Sequence, residues 1–368
     1  MAILGALMVG CVQPASLPAS SKAVSWGYAS WWQPIQEAGI RTSSFDRLIY
    51  FDVTLASDGT VADAHGWPAQ QMQLRSSATS LGIPLDVTLA LHGRESLVSL
   101  FSSAEAVDRL LQTALSVADD PMVAGLHLDL EVYDPLPDAT LQELRAFVPR
   151  LKQALRSMHP QRTLSVFVPL SQTPLYDKAS LDGVDWVVMQ AYDAHWLTSP
   201  SAGPVAPLDG PESITWTRAA NHARALGIPK AQTLMSYPLY GYEWPAQLQD
   251  ARAATSGPGV ALTLEAVPQA ADAPVSDSVR SRVNMHGCRR DQASGSAYYQ
   301  FVGPDQRWVT GWYEGEWSLH RKSAFIDKHE LAGIAFFSVG GDGYHLTRIF
   351  NKLRRQANQQ VPPELGQC

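Results

Sequence analysis

Residues 125–131 read Gly-Leu-His-Leu-Asp-Leu-Glu, with a polar side chain at every second position from 127 on. Successive side chains of a strand point to opposite faces, so His127, Asp129 and Glu131 share one face of a β-segment. Two acids side by side suit proton transfer. The charge of Asp129 makes ionisation of Glu131 costlier, which keeps Glu131 protonated and able to donate to a leaving oxygen. The same pair would also serve as a strand-end ion pair or a loop cap. Elsewhere His65, His92, His127 and His195 show no ligand-like spacing, so neither a metal site nor a cofactor is expected.

The elements around this segment repeat. Short apolar runs alternate with amphipathic stretches from Ala23 onward, which is the pattern of βα units around a parallel sheet. Eight runs read as strands: Val24–Ala29, Arg47–Val53, Leu85–Leu91, Val123–Glu131, Thr163–Pro169, Asp185–Tyr192, Gln232–Tyr237 and Ala332–Ser338. Several are nearly continuous in Val, Ile and Leu, as strands covered on both faces are. Between them, Ser102 and Glu105 stand in capping-box spacing ahead of Val107, Leu110, Leu111, Ala114 and Leu115. Leu141, Leu144, Phe147, Val148, Leu151 and Leu155 mark a second helix. Leu81-Gly82-Ile83-Pro84 and Leu226-Gly227-Ile228-Pro229 read as helix stops leading into strands. The expectation is an α/β chain folded as a (β/α)8 TIM barrel, whose active site lies at the C-terminal mouth of the strands, where Glu131 falls.

The interval from about Gln247 to Gln306 is polar, rich in Ala, Ser, Gly and Pro, and too long for a plain loop. It reads as an insertion between the seventh and eighth strands. Residues 1–22 are then a signal or lipobox-like segment with its tether, 23–246 carry strands one to seven, 247–306 form the insertion, and 307–368 return to the barrel with the eighth strand and a final helix.

The fourth-strand motif resembles that of family 18 glycoside hydrolases, the chitinase family, which carries Asp-Gly-x-Asp-x-Asp-x-Glu. Gly125, Asp129 and Glu131 match it; Ala124 and His127 depart from it. The resemblance extends along nearly the whole barrel. Gly27-Tyr28-Ala29-Ser30-Trp31 looks like the family's first strand, and Asp58-Gly59-Thr60-Val61 like the turn after its second. Gln190-Ala191-Tyr192-Asp193 is similar to its Met-x-Tyr-Asp, and Tyr237-Pro238-Leu239-Tyr240-Gly241 to its Pro-x-Tyr-Gly, after which the family commonly places an insertion. Trp312-Tyr313-Glu314 to Ser318 and Lys322 resemble the approach to the eighth strand.

The resemblance implies a retaining glycosidase in which the 2-acetamido oxygen of the substrate attacks the anomeric carbon. In that scheme Glu131 protonates the glycosidic oxygen, Asp129 binds the acetamido N–H, and Tyr192 donates to the acetamido oxygen. Asp193, His127, Tyr28, Gln190, Tyr237, Phe337, Trp31 and Trp196 would contact the sugar. Phe337 stands where the family usually has the Trp that floors the reacting sugar's subsite, and offers less stacking area. Trp31, Trp32, Trp196 and Trp244 follow strand ends and could line a sugar cleft. His127 replaces an acid that shares a proton with the middle carboxylate. A protonated His127 bonded to Asp129 would hold it anionic and make the pH–rate profile respond to a group titrating near neutrality; a neutral His127 would simply fill the position with a hydrogen bond. The implied partner is an oligo- or polysaccharide bearing N-acetyl groups, chitin or another acetamido glycan such as peptidoglycan, an N-glycan core or a biofilm polymer. A non-hydrolytic carbohydrate-binding barrel is the alternative from another class.

Composition agrees with such a partner and excludes others. The 368 residues are 45% hydrophobic, enough for a large core, and only 17% charged, with a formal net charge of −7 and no basic run, which speaks against nucleic acid. Eleven Trp and twelve Tyr supply flat faces that suit sugar rings. At the N-terminus Ala2–Val9 is apolar, and Leu7-Met8-Val9-Gly10-Cys11 resembles a bacterial lipobox with Val12–Ser21 as tether, although a positive n-region is missing. The expectation is an extracytoplasmic monomer, either a membrane-anchored lipoprotein with a lipid anchor at Cys11 or a secreted or periplasmic protein. Cys288 and Cys368 could pair in an oxidising compartment.

Overall fold

Strands form where the apolar runs stand. In chain order they are β1 (Val24–Ser30), β2 (Arg47–Leu55), β3 (Val61–Asp63), β4 (Leu85–His92), β5 (Gly125–Glu131), β6 (Thr163–Val168), β7 (Trp186–Met189), β8 (Thr233–Pro238), β9 (Tyr240–Ala246), β10 (Val260–Thr263), β11 (Arg289–Asp291), β12 (Ser296–Val302), β13 (Trp308–Tyr313) and β14 (Gly333–Phe337). The computed structural model describes residues 23–266, residues 277–355 and Cys368. The expected targeting segment and the expected anchor position Cys11 lie outside the described residues. No helix among the described residues is long and apolar enough to cross a membrane.

Eight parallel strands close on themselves in the order β1, β2, β4, β5, β6, β7, β8, β14, with β14 and β2 both paired to β1. This is the (β/α)8 barrel that the alternating runs predict. The strands carry apolar residues on both faces, because one face fills the barrel and the other meets the helices, while the inner face of β5 carries His127, Asp129 and Glu131. Trp26, Tyr28, Ile49, Phe167, Val188, Leu234 and Ala335 pack inside. A larger core outside them joins Leu48, Val87, Leu126, Leu128 and Val166 to helix residues such as Leu110, Leu144 and Leu151.

Local signals set the helix ends. The N-cap of the helix Ala104–Ala118 is Ser103, whose hydroxyl accepts from the Ala106 N–H, rather than the expected Ser102. Glu105 accepts from that same Ser103 hydroxyl. Gly82 ends the helix Met72–Leu81 at φ 64° and Gly227 adopts φ 71°, positions that favour a residue without Cβ. Gly125 answers a different need. A Cβ there would lie 2.5 Å from the Thr163 carbonyl oxygen and 2.9 Å from the Asp86 carboxylate.

The excursion after β8 is an antiparallel sheet in the order β10, β9, β13, β12, β11, with the helix Val279–His286 beside it. It is larger than the polar interval 247–306, since β9 and β13 lie on either side of that interval. Composition hid them because Tyr242, Trp244 and Trp312 make an apolar cluster of their own with Ala202 and Val205. Cys288 and Cys368 are joined in a disulfide, 6.1 Å apart between Cα atoms.

Candidate active site

Parallel register brings the polar strand ends to one mouth. β4 and β5 pair Ala90 with Asp129 and His92 with Glu131, so the acids of β5 stand level with the end of β4. The cleft above them encloses about 390 Å³. Asp129, Glu131, Tyr192 and Asp193 line it together with Trp32, Phe51, Tyr133, Gln190, Tyr240, Tyr242 and Phe337.

Asp129 is 4% exposed, and its Oδ1 has no hydrogen-bond partner. Glu131, at the rim, accepts a 2.7 Å hydrogen bond from the Tyr133 hydroxyl, which itself accepts from Gln190 Nε2 at 2.8 Å. Burial and the neighbouring charge of Asp129 raise the Glu131 carboxyl to about 7, against the opposing pull of His92 and Tyr133. A carboxyl that still holds its proton near neutrality is equipped as a general acid. His92 Nε2 lies 3.6 Å from Glu131 Oε1 and 3.9 Å from Asp129 Oδ2. Burial disfavours charge on His92, but the carboxylates of Asp129, Glu131 and Asp52 outweigh it and lift the imidazole to about 9.

The structure decides between the two readings of His127. The ring is fully buried, with Nε2 2.9 Å from the Tyr28 hydroxyl and Nδ1 2.8 Å from Ser165 Oγ. Burial drives its pKa down to about 4 despite the nearby Asp129. His127 is therefore neutral, both nitrogens are engaged away from Asp129, and the expected titration near neutrality belongs to other groups. Neither His127 nor Tyr28 lines the cleft; both lie deeper in the barrel.

Other expected contacts divide. Tyr192 packs against Phe167, Phe337 and Tyr240, and burial keeps its hydroxyl protonated far above the usual tyrosine range. Asp193, at φ 60°, accepts from Tyr240 at 2.6 Å and Tyr242 at 3.2 Å, while burial raises its carboxyl to about 6. Gln190 reaches the cleft but also accepts from the Leu170 N–H. Phe337 forms cleft wall, in edge contact with Phe51. Tyr237 does not reach the site. It alternates outward from Ser236, packs on Trp216 and Phe336, and donates to the Gly315 carbonyl. Trp31 stacks on His65 in a neighbouring groove, and it is Trp32 that enters the cleft. Trp196 is exposed outside the cleft lining, bonded to Thr198, and Trp244 is buried with its N–H on the Trp196 carbonyl.

Sequence reasoning missed His92, Tyr133, Tyr240 and Tyr242 as site residues. Two of them carried a local signal: Tyr133 follows Glu131 by two positions, and Tyr240 is the Tyr of the Pro-x-Tyr-Gly match.

Comparison with known proteins places this geometry. The profile of glycosyl hydrolases family 18 matches residues 24–342. The chain belongs to that family and is a glycosidase. It is 20% identical over 260 residues, 69% of this chain and 68% of the other, to "Uncharacterized glycosylase YvbX" of Bacillus subtilis. It is 23% identical over 355 residues to "Probable chitinase 10" of Drosophila melanogaster, covering 86% of this chain but only 15% of that protein. Among solved structures, a family 18 chitinase from Cycas revoluta in complex with allosamidin superposes with TM-score 0.73 at 20% identity, over 90% of this chain and 100% of that one. The Bacillus cereus spore cortex-lytic enzyme SleL superposes with TM-score 0.70 at 18% identity, over 94% and 78%.

Proposed function

We propose that this glycosidase cleaves β-linked N-acetylglucosamine-containing glycans, chitin or a related acetamido polymer, by substrate-assisted retaining catalysis. One observation carries the reading: the buried Oδ1 of Asp129 meets no protein donor, yet lies in a cleft wall beside a proton-bearing Glu131. A buried carboxylate oxygen without a donor is costly, and a substrate amide N–H is a donor that would satisfy it.

In this mechanism Glu131 gives its proton to the glycosidic oxygen as the C1–O bond breaks and the acetamido oxygen closes on C1. Asp129 holds the acetamido N–H and stabilises the resulting oxazolinium-like cation. The protonated Tyr192 hydroxyl donates to the acetamido oxygen. The Glu131 carboxylate then takes a proton from water, which opens the intermediate with net retention. Trp32 and Phe337 offer apolar faces to the sugar, and Asp193 accepts from its hydroxyls. The Cys288–Cys368 bond supports an extracytoplasmic setting, either secreted or anchored through Cys11.

Two substitutions and a substrate panel test this. Glu131→Gln and Asp129→Asn fold with the wild-type melting temperature and lose at least about 10²-fold in kcat. Acetylated oligosaccharides from chitin and peptidoglycan release products with the retained anomer, and deacetylated ones do not. Equal cleavage of deacetylated substrate excludes the mechanism, and binding without product release makes the barrel a carbohydrate-binding protein instead.

A further inference from the structure

Three carboxylates crowd the mouth between β2, β4 and β5. Asp52 is buried in the second half of β2, where Thr54 donates to its Oδ2 at 2.8 Å and His65 Nε2 stands 3.8 Å from its Oδ1. Asp129 and Glu131 face the same space from β5, and Asp193 adds its charge to Glu131 from beyond β7. Beneath Asp129 sits His127, whose two nitrogens are taken by Tyr28 and Ser165. Above it is His92, half exposed, with Nε2 within 4 Å of a carboxylate oxygen of Asp129 and of Glu131 at once. Strand register sets this contact, because the end of β4 is level with the end of β5.

We propose that His92 is a positioning residue whose imidazolium, reaching from the end of β4 over both acids, balances the charge that proton transfer from Glu131 creates beside Asp129. The inference rests on the reading of Glu131 as proton donor. When Glu131 releases its proton to the glycosidic oxygen, two carboxylates come to lie side by side, which like-charge repulsion disfavours. A cation touching both makes the anionic Glu131 easier to reach and so makes its carboxyl a better acid. His127 cannot supply this charge, being neutral and turned to Tyr28 and Ser165. The lifted pKa of the His92 imidazole agrees with the geometry, since an imidazole among Asp52, Asp129 and Glu131 remains charged through the neutral range.

The test is a pH profile of turnover together with an NMR titration that does not depend on turnover. In His92→Gln the cation is gone, Glu131 ionises later, and the basic limb of kcat/KM moves up by about one pH unit while kcat falls about tenfold. His92→Lys keeps a cation on the same strand end and returns the limb to its wild-type position. A side chain that merely braced the loop would lower kcat without moving the limb. Histidine NMR on the free wild-type protein shows one imidazole titrating above pH 8, absent from His92→Gln. A wild-type limb in His92→Gln, or a His92 imidazole titrating at or below about 6.5, overturns the proposal. Wild-type turnover by Glu131→Gln overturns it together with the reading beneath it, while the NMR titration still reports the charge on His92.

Discussion

Replacing Lys322 by methionine removes one half of a fully buried ion pair. Lys322 Nζ donates to Glu314 Oε2 at 2.5 Å, and neither side chain has any exposed surface. The other carboxylate oxygen of Glu314 accepts from Ser296 Oγ at 2.6 Å and from the Ala206 N–H at 3.2 Å. The pair thereby ties the end of β13 to the segment behind Asp193, since Ala194 in turn donates to the Val205 carbonyl. Methionine matches the length of the lysine stem and packs on the Trp216 and Tyr237 rings that Lys322 overlies. What is lost is the charge. Leaving a buried carboxylate without its cation costs about 3–5 kcal/mol, which in a chain of this size lowers Tm by roughly 4–7 °C. Burial already raises the Glu314 carboxyl above its ordinary value despite Lys322, and without Lys322 it rises further. A group whose folded pKa is raised destabilises progressively as pH climbs above the unfolded carboxylate value, so the deficit of Lys322→Met is small at pH 5 and larger at pH 8. The double variant Glu314→Gln with Lys322→Met carries no charge and keeps an acceptor for Ser296 and Ala206, and it regains at least half of the loss. Thermal unfolding of the four proteins of this cycle at both pH values is the assay. A drop under about 2 °C in Lys322→Met, or a deficit equal at pH 5 and pH 8, refutes the reasoning.

Tyr133→Phe removes the 2.7 Å donor to Glu131, so the carboxyl rises above about 7 and the basic limb of kcat/KM moves up by about half a unit to one unit; an unmoved limb denies Tyr133 that influence. His127→Ala strands the Tyr28 hydroxyl, takes one of two partners from Ser165 Oγ, leaves a cavity in the barrel interior, and lowers stability by about 2–4 kcal/mol by chemical denaturation. Because burial holds the imidazole down at about 4, histidine NMR of the wild-type protein shows this ring unchanged between pH 5.5 and pH 8, and a titration inside that window contradicts its assignment as neutral.

Much of the molecule was legible in the chain because the deciding forces are local. Period-two alternation over residues 125–131 puts Asp129 and Glu131 on one face whatever surrounds them, and both do face the cleft. Apolar runs separated by helix stops at Gly82 and Gly227 announce repeated βα units, and the barrel has them. Tertiary structure decided which side chains meet, since those contacts join residues that only barrel closure and strand register bring together. Tyr28 reaches His127 across 99 positions, and burial of the ring in the closed barrel keeps that imidazole neutral. β4–β5 register sets His92 against both acids, and the apolar sheet hidden around the polar interval delivers Tyr240 and Tyr242 to Asp193. Tyr237 shows the converse: one step along β8 turns it from the mouth to the outer core, because in a strand the neighbouring position belongs to the other face.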